Sequence, residues 1–225
     1  PLTLVIPKRD IIPHIVTAGL PTVAVRIPAH PVALQLIQLA QRPIAAPSAN
    51  LFGQVSPTRA EHVQKQLGDK VDLILDGGPC RVGVESTIIS LAHGNQPVML
   101  RPGGVSVEEM EKVVGSVRIP DQRGGPVQAP GMLSRHYSPG TPLKIVQNHR
   151  DVPRDQMRRI GLLAFRSPPD KSRYQAVEVL SERGDLQEAA ANFFAALHRL
   201  DGARLDLILA EPVPKTGLGF AIMDR

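Results

Sequence analysis

Residues 22–50 read TVAVRIPAHPVALQLIQLAQRPIAAPSAN, and their pattern decides the class of fold. Thr22–Ile27 is β-branched and alternates, which predicts a strand. Pro31–Ala40 opens with proline and spaces its apolar residues at helical intervals, which predicts a helix. Ile44–Ala46 is a short apolar run that reads as a buried strand and runs into Pro47-Ser-Ala-Asn50. The same alternation extends outward in both directions. Leu2–Ile6 reads as a strand. Thr58-x-x-Glu61 has the form of a capping box, and Gly68 closes the helix it would open. Val71–Leu75 reads as a strand closed by Asp76-Gly-Gly, and Ser86–Leu91 and Val98–Leu100 as two more. Ser106-x-x-Glu109 opens a further helix that ends near Gly115. Strands and helices mix along the chain, so the class is α/β.

Residues 119–142 break the pattern. They hold Pro120, Gly124, Gly125, Pro126, Pro130, Gly131, Pro139, Gly140 and Pro142, and no periodicity survives there. This is the composition of a linker. Leu143–Val146 and Ile160–Phe165 then read as strands, Leu186–Leu200 as an amphipathic helix and Leu205–Leu209 as a buried strand. The expected organisation is a first α/β portion over 1–118, a linker over 119–142, and a small Rossmann-like α/β domain over 143–225. That last domain has no glycine-rich dinucleotide fingerprint, so a bound dinucleotide is not expected.

Composition excludes several classes. Hydrophobic residues make up 42% of the 225, enough to fill a core, which excludes wholesale disorder. No apolar run approaches the roughly 18 residues of a membrane span. The single cysteine, Cys80, excludes an internal disulfide and agrees with a cytoplasmic location. The net charge of +5 is spread over the chain without a basic arm, which suits an enzyme handling nucleotides or a weak RNA contact. Five Phe, two Tyr and no Trp are too few for a base-stacking platform. None of the seven histidines sits in a metal-ligand spacing, so no metal site is expected. A Walker loop and a Gly-x-Ser-x-Gly elbow are both lacking.

Four stretches carry candidate chemistry. In Ala45-Ala-Pro-Ser-Ala-Asn50, small residues let a ligand approach the backbone and present Ser48 and Asn50. Ser56 and Thr58 follow at an expected helix N-terminus, where amide groups and the helix dipole favour an anion; a plain capped turn reads the same residues as well. Asp76-Gly-Gly-Pro and Gly83-Val-Glu-Ser-Thr87 place two glycine turns around a loop, either a crevice wall or a hairpin with polar edges. Arg26 and Arg101 stand at strand ends, placed to clamp a carboxylate or phosphate, or simply solvated there. Ala129–Pro139 gathers Met132, Arg135, His136 and Tyr137 in the linker, as a lid over a pocket or as a passively docked segment.

Taken together, Ala-Pro-Ser-Ala-Asn (46–50), Ser-Pro-Thr (56–58), Leu-Asp-Gly-Gly (75–78), Gly-x-Glu-Ser-Thr (83–87), Leu-Arg-Pro-Gly (100–103) and Pro-Gly-Met…His-Tyr-Ser-Pro (130–139) resemble the threonylcarbamoyl-AMP synthases with a YrdC-type domain. The linker and the closing stretch from Ala210 to Arg225 resemble the two-domain form. The resemblance implies a nucleotidyltransferase that joins L-threonine, bicarbonate and ATP into threonylcarbamoyl-AMP and pyrophosphate, for tRNA threonylcarbamoyladenosine synthesis. It implies that Arg26, the Ala46 backbone and Ser86 hold threonine. It assigns Thr22, Ser48, Ser56, Arg101 and Tyr137 to ATP, with Asn50 and His136 in support. It calls for no side-chain nucleophile, for Mg²⁺ with the triphosphate, and for a downstream transferase complex acting on tRNA.

The family pattern also has a preceding stretch of roughly half a domain, with a Pro-Thr-Glu-Thr-x-Tyr-Gly-Leu segment and a Lys-x-Arg motif. Neither is in the 225 residues, so the expectation is that the chain as given is catalytically incomplete and exposes strand edges. Three alternatives stand beside the synthase. A YrdC-like RNA-binding module would show salt-sensitive affinity for tRNA or double-stranded RNA, indifferent to ATP and threonine. A carbamoyl-transfer maturation factor would carry zinc-finger cysteines, which one cysteine argues against. An inactive interaction domain is the third.

Overall fold

The computed structural model describes residues 1–92, 94, 96–120, 137–147, 159–168 and 170–225. The chain divides into two compact units, each drawn from two stretches of sequence. The first comprises Pro1–Pro47 and Glu85–Leu133; the second comprises Ser48–Val84 and Ser134–Arg225. The Ser48–Thr58 stretch therefore groups with the C-terminal part of the chain. As the sequence implies, the fold is mixed α/β with two sheets.

In the first unit, β1 (Leu2–Pro7), β2 (Thr22–Val25), β3 (Thr87–Ser90) and β4 (Val98–Arg101) form a sheet in the order β2-β1-β3-β4. β1 runs parallel to β3, with Leu2 opposite Thr87, and antiparallel to β2. β4 is antiparallel to β3. All four residues of β3 are buried, as expected for a central strand. Val5 and Ile88 pack together with Leu100 against them, and Ile89, Val98, Met99, Met110 and Val117 are buried as well.

Two helices flank this sheet in sequence. α1 (Pro31–Ala40) forms where its periodicity predicts, with proline in its first turn, yet buries none of its residues. α3 (Val107–Val114) begins on the predicted capping box. The Ser106 hydroxyl accepts from the Glu109 amide, and the Glu109 carboxylate accepts from the Ser106 amide.

The second unit holds a parallel sheet of β5 (Leu143–Ile145), β6 (Ile160–Ala164), β7 (Ala176–Val179) and β8 (Leu207–Ala210) in the order β5-β8-β6-β7. α4 (Leu186–Gly202) connects β7 to β8, and α5 (Gly219–Asp224) follows β8. Every residue of β8 is buried, which is why Leu-Ile-Leu-Ala reads as a continuous apolar run. On one face Leu163, Ile208 and Ala210 pack with Phe193, Phe194, Leu197 and Leu200 of α4. The other face collects Val146, Leu162, Ala164, Leu207 and Leu209. α4 forms because its apolar residues recur at helical spacing and because Asp185 caps it, accepting from the Glu188 amide at 2.8 Å.

Three local expectations fail, each for a physical reason. Ile44–Ala46 forms no strand and is exposed, since no neighbouring strand supplies a ladder. Val71–Leu75 likewise joins neither sheet, and Leu73 is 74% exposed. The Thr58 capping box does not form. The Thr58 amide donates instead to His62 Nδ1 at 3.2 Å, and its carbonyl accepts from the Cys80 amide. Helix α2 (Ala60–Leu67) therefore starts later, with Arg59 at its N-cap and no side-chain cap.

Candidate active site

The four strands of the first unit each bring one polar side chain to the same end of the sheet. β1 and β3 begin there, with Thr3 on β1 and Ser86 just before β3; β2 and β4 finish there, with Arg26 just past β2 and Arg101 closing β4. Ser86 is the hub. Its hydroxyl lies 2.7 Å from the Thr3 hydroxyl and accepts from Arg26 Nη1 at 3.2 Å and Arg101 Nη2 at 3.3 Å. Arg101 also forks the Ser86 carbonyl, with Nε at 3.2 Å and Nη2 at 2.9 Å. Two guanidinium groups on one serine make a site that favours a carboxylate or phosphate. Arg101 is buried, 7% exposed, and its planar fork fixes the loop. Arg26 is exposed and makes no ion pair with a described carboxylate, so its charge is open to a ligand.

Two motif residues make this geometry possible. A Cβ on Gly103 would meet the Glu85 carbonyl oxygen, the Ser86 carbonyl carbon and the Thr87 amide, each at 2.4 Å. Only glycine lets the Leu-Arg-Pro-Gly loop lie against the Ser86 backbone. Thr87 completes the join: its hydroxyl donates to the Val105 carbonyl at 2.6 Å and accepts from the Val105 amide at 2.9 Å.

The structure does not bring every expected residue to this cluster. Thr22 is half-buried opposite Pro7, at the far end of β2 from Arg26. Four residues of strand separate the two by roughly 13 Å. Ala46 is exposed in irregular chain after α1. Thr3 is the residue that sequence reading missed. Its signal was weak: one threonine alternating into the buried side of an apolar strand.

The remaining expected residues belong to the second unit. Ser48 is exposed. Asn50 Nδ2 donates to the carbonyls of Leu51 at 2.9 Å and Gln54 at 3.2 Å, closing the turn over residues 51–54. Its Oδ1 is a buried acceptor with no hydrogen-bond partner among the described residues. Gln66 of α2, also missed, accepts from the Leu51 amide and donates to the Val55 carbonyl, both at 3.0 Å. Ser56 is buried, and its carbonyl accepts from His198 Nε2 at 3.0 Å.

Tyr137 is also buried, with a left-handed backbone at φ 57°. Its ring lies 5.7 Å from that of Phe194 and 5.0 Å from the Arg225 guanidinium, beside a cavity of about 420 Å³. The Ser138 amide donates to the Gly53 carbonyl at 2.9 Å, which ties the end of the linker to the Ser48–Thr58 stretch. His136, Arg135 and Met132 lie outside the described residues. Gly83, first in the Gly-x-Glu-Ser-Thr motif, has φ +76°, and a Cβ there would meet the Ala190 carbonyl oxygen of α4 at 2.1 Å. One motif therefore serves two ends: Gly83 seats on α4 in the second unit, while Ser86 and Thr87 build the cluster in the first.

Residues 1–103 match the family described as "Telomere recombination", the Sua5/YciO/YrdC group, and residues 105–225 match "Threonylcarbamoyl-AMP synthase, C-terminal domain". Together these define a two-domain protein with a YrdC-type portion and a Sua5-type C-terminal domain. The threonylcarbamoyl-AMP synthase of Pyrococcus abyssi is 46% identical over 235 residues, covering 100% of this chain and 68% of the relative. That of Bacillus subtilis is 42% identical over 236 residues, again covering 100% and 68%. The crystal structure of P. abyssi Sua5 complexed with L-threonine superimposes with a TM-score of 0.87 at 42% identity, over 99% of this chain and 68% of that one. The chain belongs to the threonylcarbamoyl-AMP synthase family. It spans about two thirds of the length of these relatives.

Proposed function

We infer that this chain carries L-threonylcarbamoyladenylate synthase chemistry. The amine of threonine takes up bicarbonate with loss of water to give a carbamate. A carbamate oxygen then attacks the α-phosphorus of ATP, and the bond to the bridging oxygen of pyrophosphate breaks. The products are threonylcarbamoyl-AMP and pyrophosphate. No side chain needs to attack. The protein holds the reactants in line and stabilises the charge that develops on the phosphate.

The observation that carries this reading is the Arg26–Ser86–Arg101 cluster. We assign the threonine carboxylate to the Arg26 guanidinium and the Ser86 hydroxyl, with the Ala46 backbone alongside. ATP is assigned to Thr22, Ser48, Ser56, Arg101 and Tyr137, with Asn50 supporting the loop and His136 beside Tyr137. The Asn50 Oδ1, a buried acceptor without a protein donor among the described residues, suits a ligand donor. Tyr137 packs on Phe194 and lines a cavity, and we assign it to the lid read in the sequence over residues 129–139. Mg²⁺ enters as part of the ATP substrate, held mainly by its phosphates. We assign residues 1–118 to the catalytic portion, 119–142 to the linker and 143–225 to the C-terminal domain, on the change of composition at both boundaries. No helix among the described residues is long and apolar enough to cross a membrane. A cytoplasmic enzyme that passes its product to a tRNA-modifying transferase complex, with weak tRNA contact through its net positive charge, fits these features.

Pyrophosphate release tests the assignment, measured on the protein at its full natural length with ATP, with and without threonine and bicarbonate. Release is expected only when both co-substrates are present. Arg26→Ala raises the KM for threonine roughly tenfold or more, the value of a charge-assisted hydrogen bond. Release that ignores threonine and bicarbonate overturns the synthase reading. Salt-sensitive RNA affinity that ATP does not alter then identifies an RNA-binding module instead.

A further inference from the structure

Two histidines that the sequence passed over meet in the second unit. His62 lies on α2 and His198 on α4. Their rings stack with centroids 3.7 Å apart and planes inclined by 28°. Each also grips the Ser56–Thr58 turn. His198 Nε2 donates to the Ser56 carbonyl at 3.0 Å, while His62 Nδ1 accepts from the Thr58 amide at 3.2 Å. The turn is thus held at both ends by one stacked pair, half of it supplied by a helix 142 residues further along the chain.

We propose that His62 and His198 are positioning residues for the nucleotide: the stacked pair fixes the Ser56–Thr58 turn, so that α4 sets the geometry in which Ser56 meets ATP. This rests on the assignment of Ser56 to ATP made above. The chemistry fits the task. The Ser56 carbonyl can only accept, so His198 carries its proton on Nε2. The Thr58 amide can only donate, so His62 Nδ1 holds its lone pair and the proton sits on Nε2. Two neutral rings can stack without charge repulsion.

The surroundings keep them neutral. Burial, then the nearby His198, Arg59, Arg199 and Lys65, lower the His62 pKa to about 4. Burial and Lys65 lower that of His198, while its bond to the Ser56 carbonyl and Asp201 act the other way. Both shifts favour the neutral rings, and the stacked pair acts as a strut. It also gives α4, which carries none of the residues assigned to the substrates, a mechanical part in the reaction.

The test compares His198→Phe, which keeps the ring and its stacking but deletes the donor, with His198→Gln, which restores an N–H at similar reach. Steady-state pyrophosphate release is followed in the full-length protein, with Ser56→Ala as the reference. His198→Phe is expected to raise the KM for ATP about fivefold, as for one lost hydrogen bond. The KM for threonine should hold, and His198→Gln should recover most of the loss. Exchange of the Thr58 amide should accelerate in His198→Phe. Should that variant fail to fold, His62→Phe removes the Nδ1 acceptor and keeps the ring, and the same rise in ATP KM is expected. An unchanged ATP KM in His198→Phe, while Ser56→Ala raises it, overturns the strut and leaves the nucleotide assignment standing. An unchanged ATP KM in Ser56→Ala removes the assignment itself and the proposal with it. A parallel rise in both substrate KM values reduces the pair to general stability and also overturns it.

Discussion

The two units follow the same α/β pattern but are held together differently. In the second, apolar side chains fill both faces of a parallel sheet: Leu162, Phe194, Leu200, Ile208 and Leu209 are each 1% exposed or less. In the first, Val5, Ile88, Ile89, Val98, Met99, Met110 and Val117 are buried but none is less than 2% exposed, while Ile27 and Leu39 are 89% and 77% exposed. It adds a polar cluster at one end of the sheet, where Thr3, Ser86, Thr87 and Arg101 are all buried and bonded. The difference lies in where buried polar groups stand. Buried polar groups must be bonded to be tolerated, and here Arg101 bonds both the carbonyl and the hydroxyl of Ser86. Among the described residues, the sheet of the second unit holds no such cluster, and its interior packs as an ordinary core.

The sharpest way to break this comparison is to remove one core side chain. Phe194 is 1% exposed and packs against both Phe193 and Tyr137, at centroid distances of 5.0 Å and 5.7 Å. Phe194→Ala should destabilise the second unit by about 3–5 kcal/mol, the lost transfer energy plus the cavity left behind. Hydrogen exchange should show the loss in β6, β8 and α4, with the amides of β1 and β3 little changed. Equal acceleration in both sheets would mean that the two units share one cooperative core, and the comparison would fail.

How much of this was legible in the sequence follows from the same contrast. α4 and β8 declared themselves because their apolar spacing matches the burial they achieve. α1 declared itself as a helix too, but periodicity reports only a face that could be buried, and α1 buries nothing. Val71–Leu75 has a strand's composition without a partner to pair with, a fact no local pattern holds. The sequence singles out Arg26, Ser86 and Arg101 at strand ends and glycine turns, and the sheet brings those three together. Thr3 and the His62–His198 pair were not found, because they come from strands and helices far apart in sequence. The Thr58 cap was misread since its amide had a stronger claim elsewhere, in the His62 ring.

A smaller effect probes the polar end of the first unit. Gly103→Ala puts a methyl group where backbone atoms of Glu85, Ser86 and Thr87 already stand, so the loop must shift. The cost should be about 1–3 kcal/mol, as for overpacking a tight site. Its signature is functional as well: moving the Ser86 backbone loosens the Arg101 fork, so threonine binding should weaken with stability. Gly83→Ala makes the matching test in the second unit, where the methyl meets the α4 backbone. It should lower the stability of that unit. Threonine binding weakened equally by both variants would show that Ser86 owes no more to Gly103 than to Gly83, against the division drawn here.

The smallest effect is the most discriminating about how each unit carries a helix. Ser106 caps α3 and Asp185 caps α4 by the same bond to the amide three residues on. Replacing either by alanine removes one hydrogen bond from an N-terminus, worth about 1 kcal/mol. The consequences should differ. α4 buries seven side chains, so its first turn is held by packing, and Asp185→Ala should appear as a modest fall in global stability with an unchanged denaturant slope. α3 buries only Met110, so little holds its first turn once the capping box is gone. Ser106→Ala should therefore fray α3 locally, with faster amide exchange over residues 107–111 and almost no change in the unfolding midpoint. Ser106→Asp keeps an acceptor at the N-cap and should restore protection. If Ser106→Ala shifts the midpoint as much as Asp185→Ala does, α3 is coupled to the sheet beside it more tightly than its single buried methionine implies, and the first unit has a core that its apolar contacts understate.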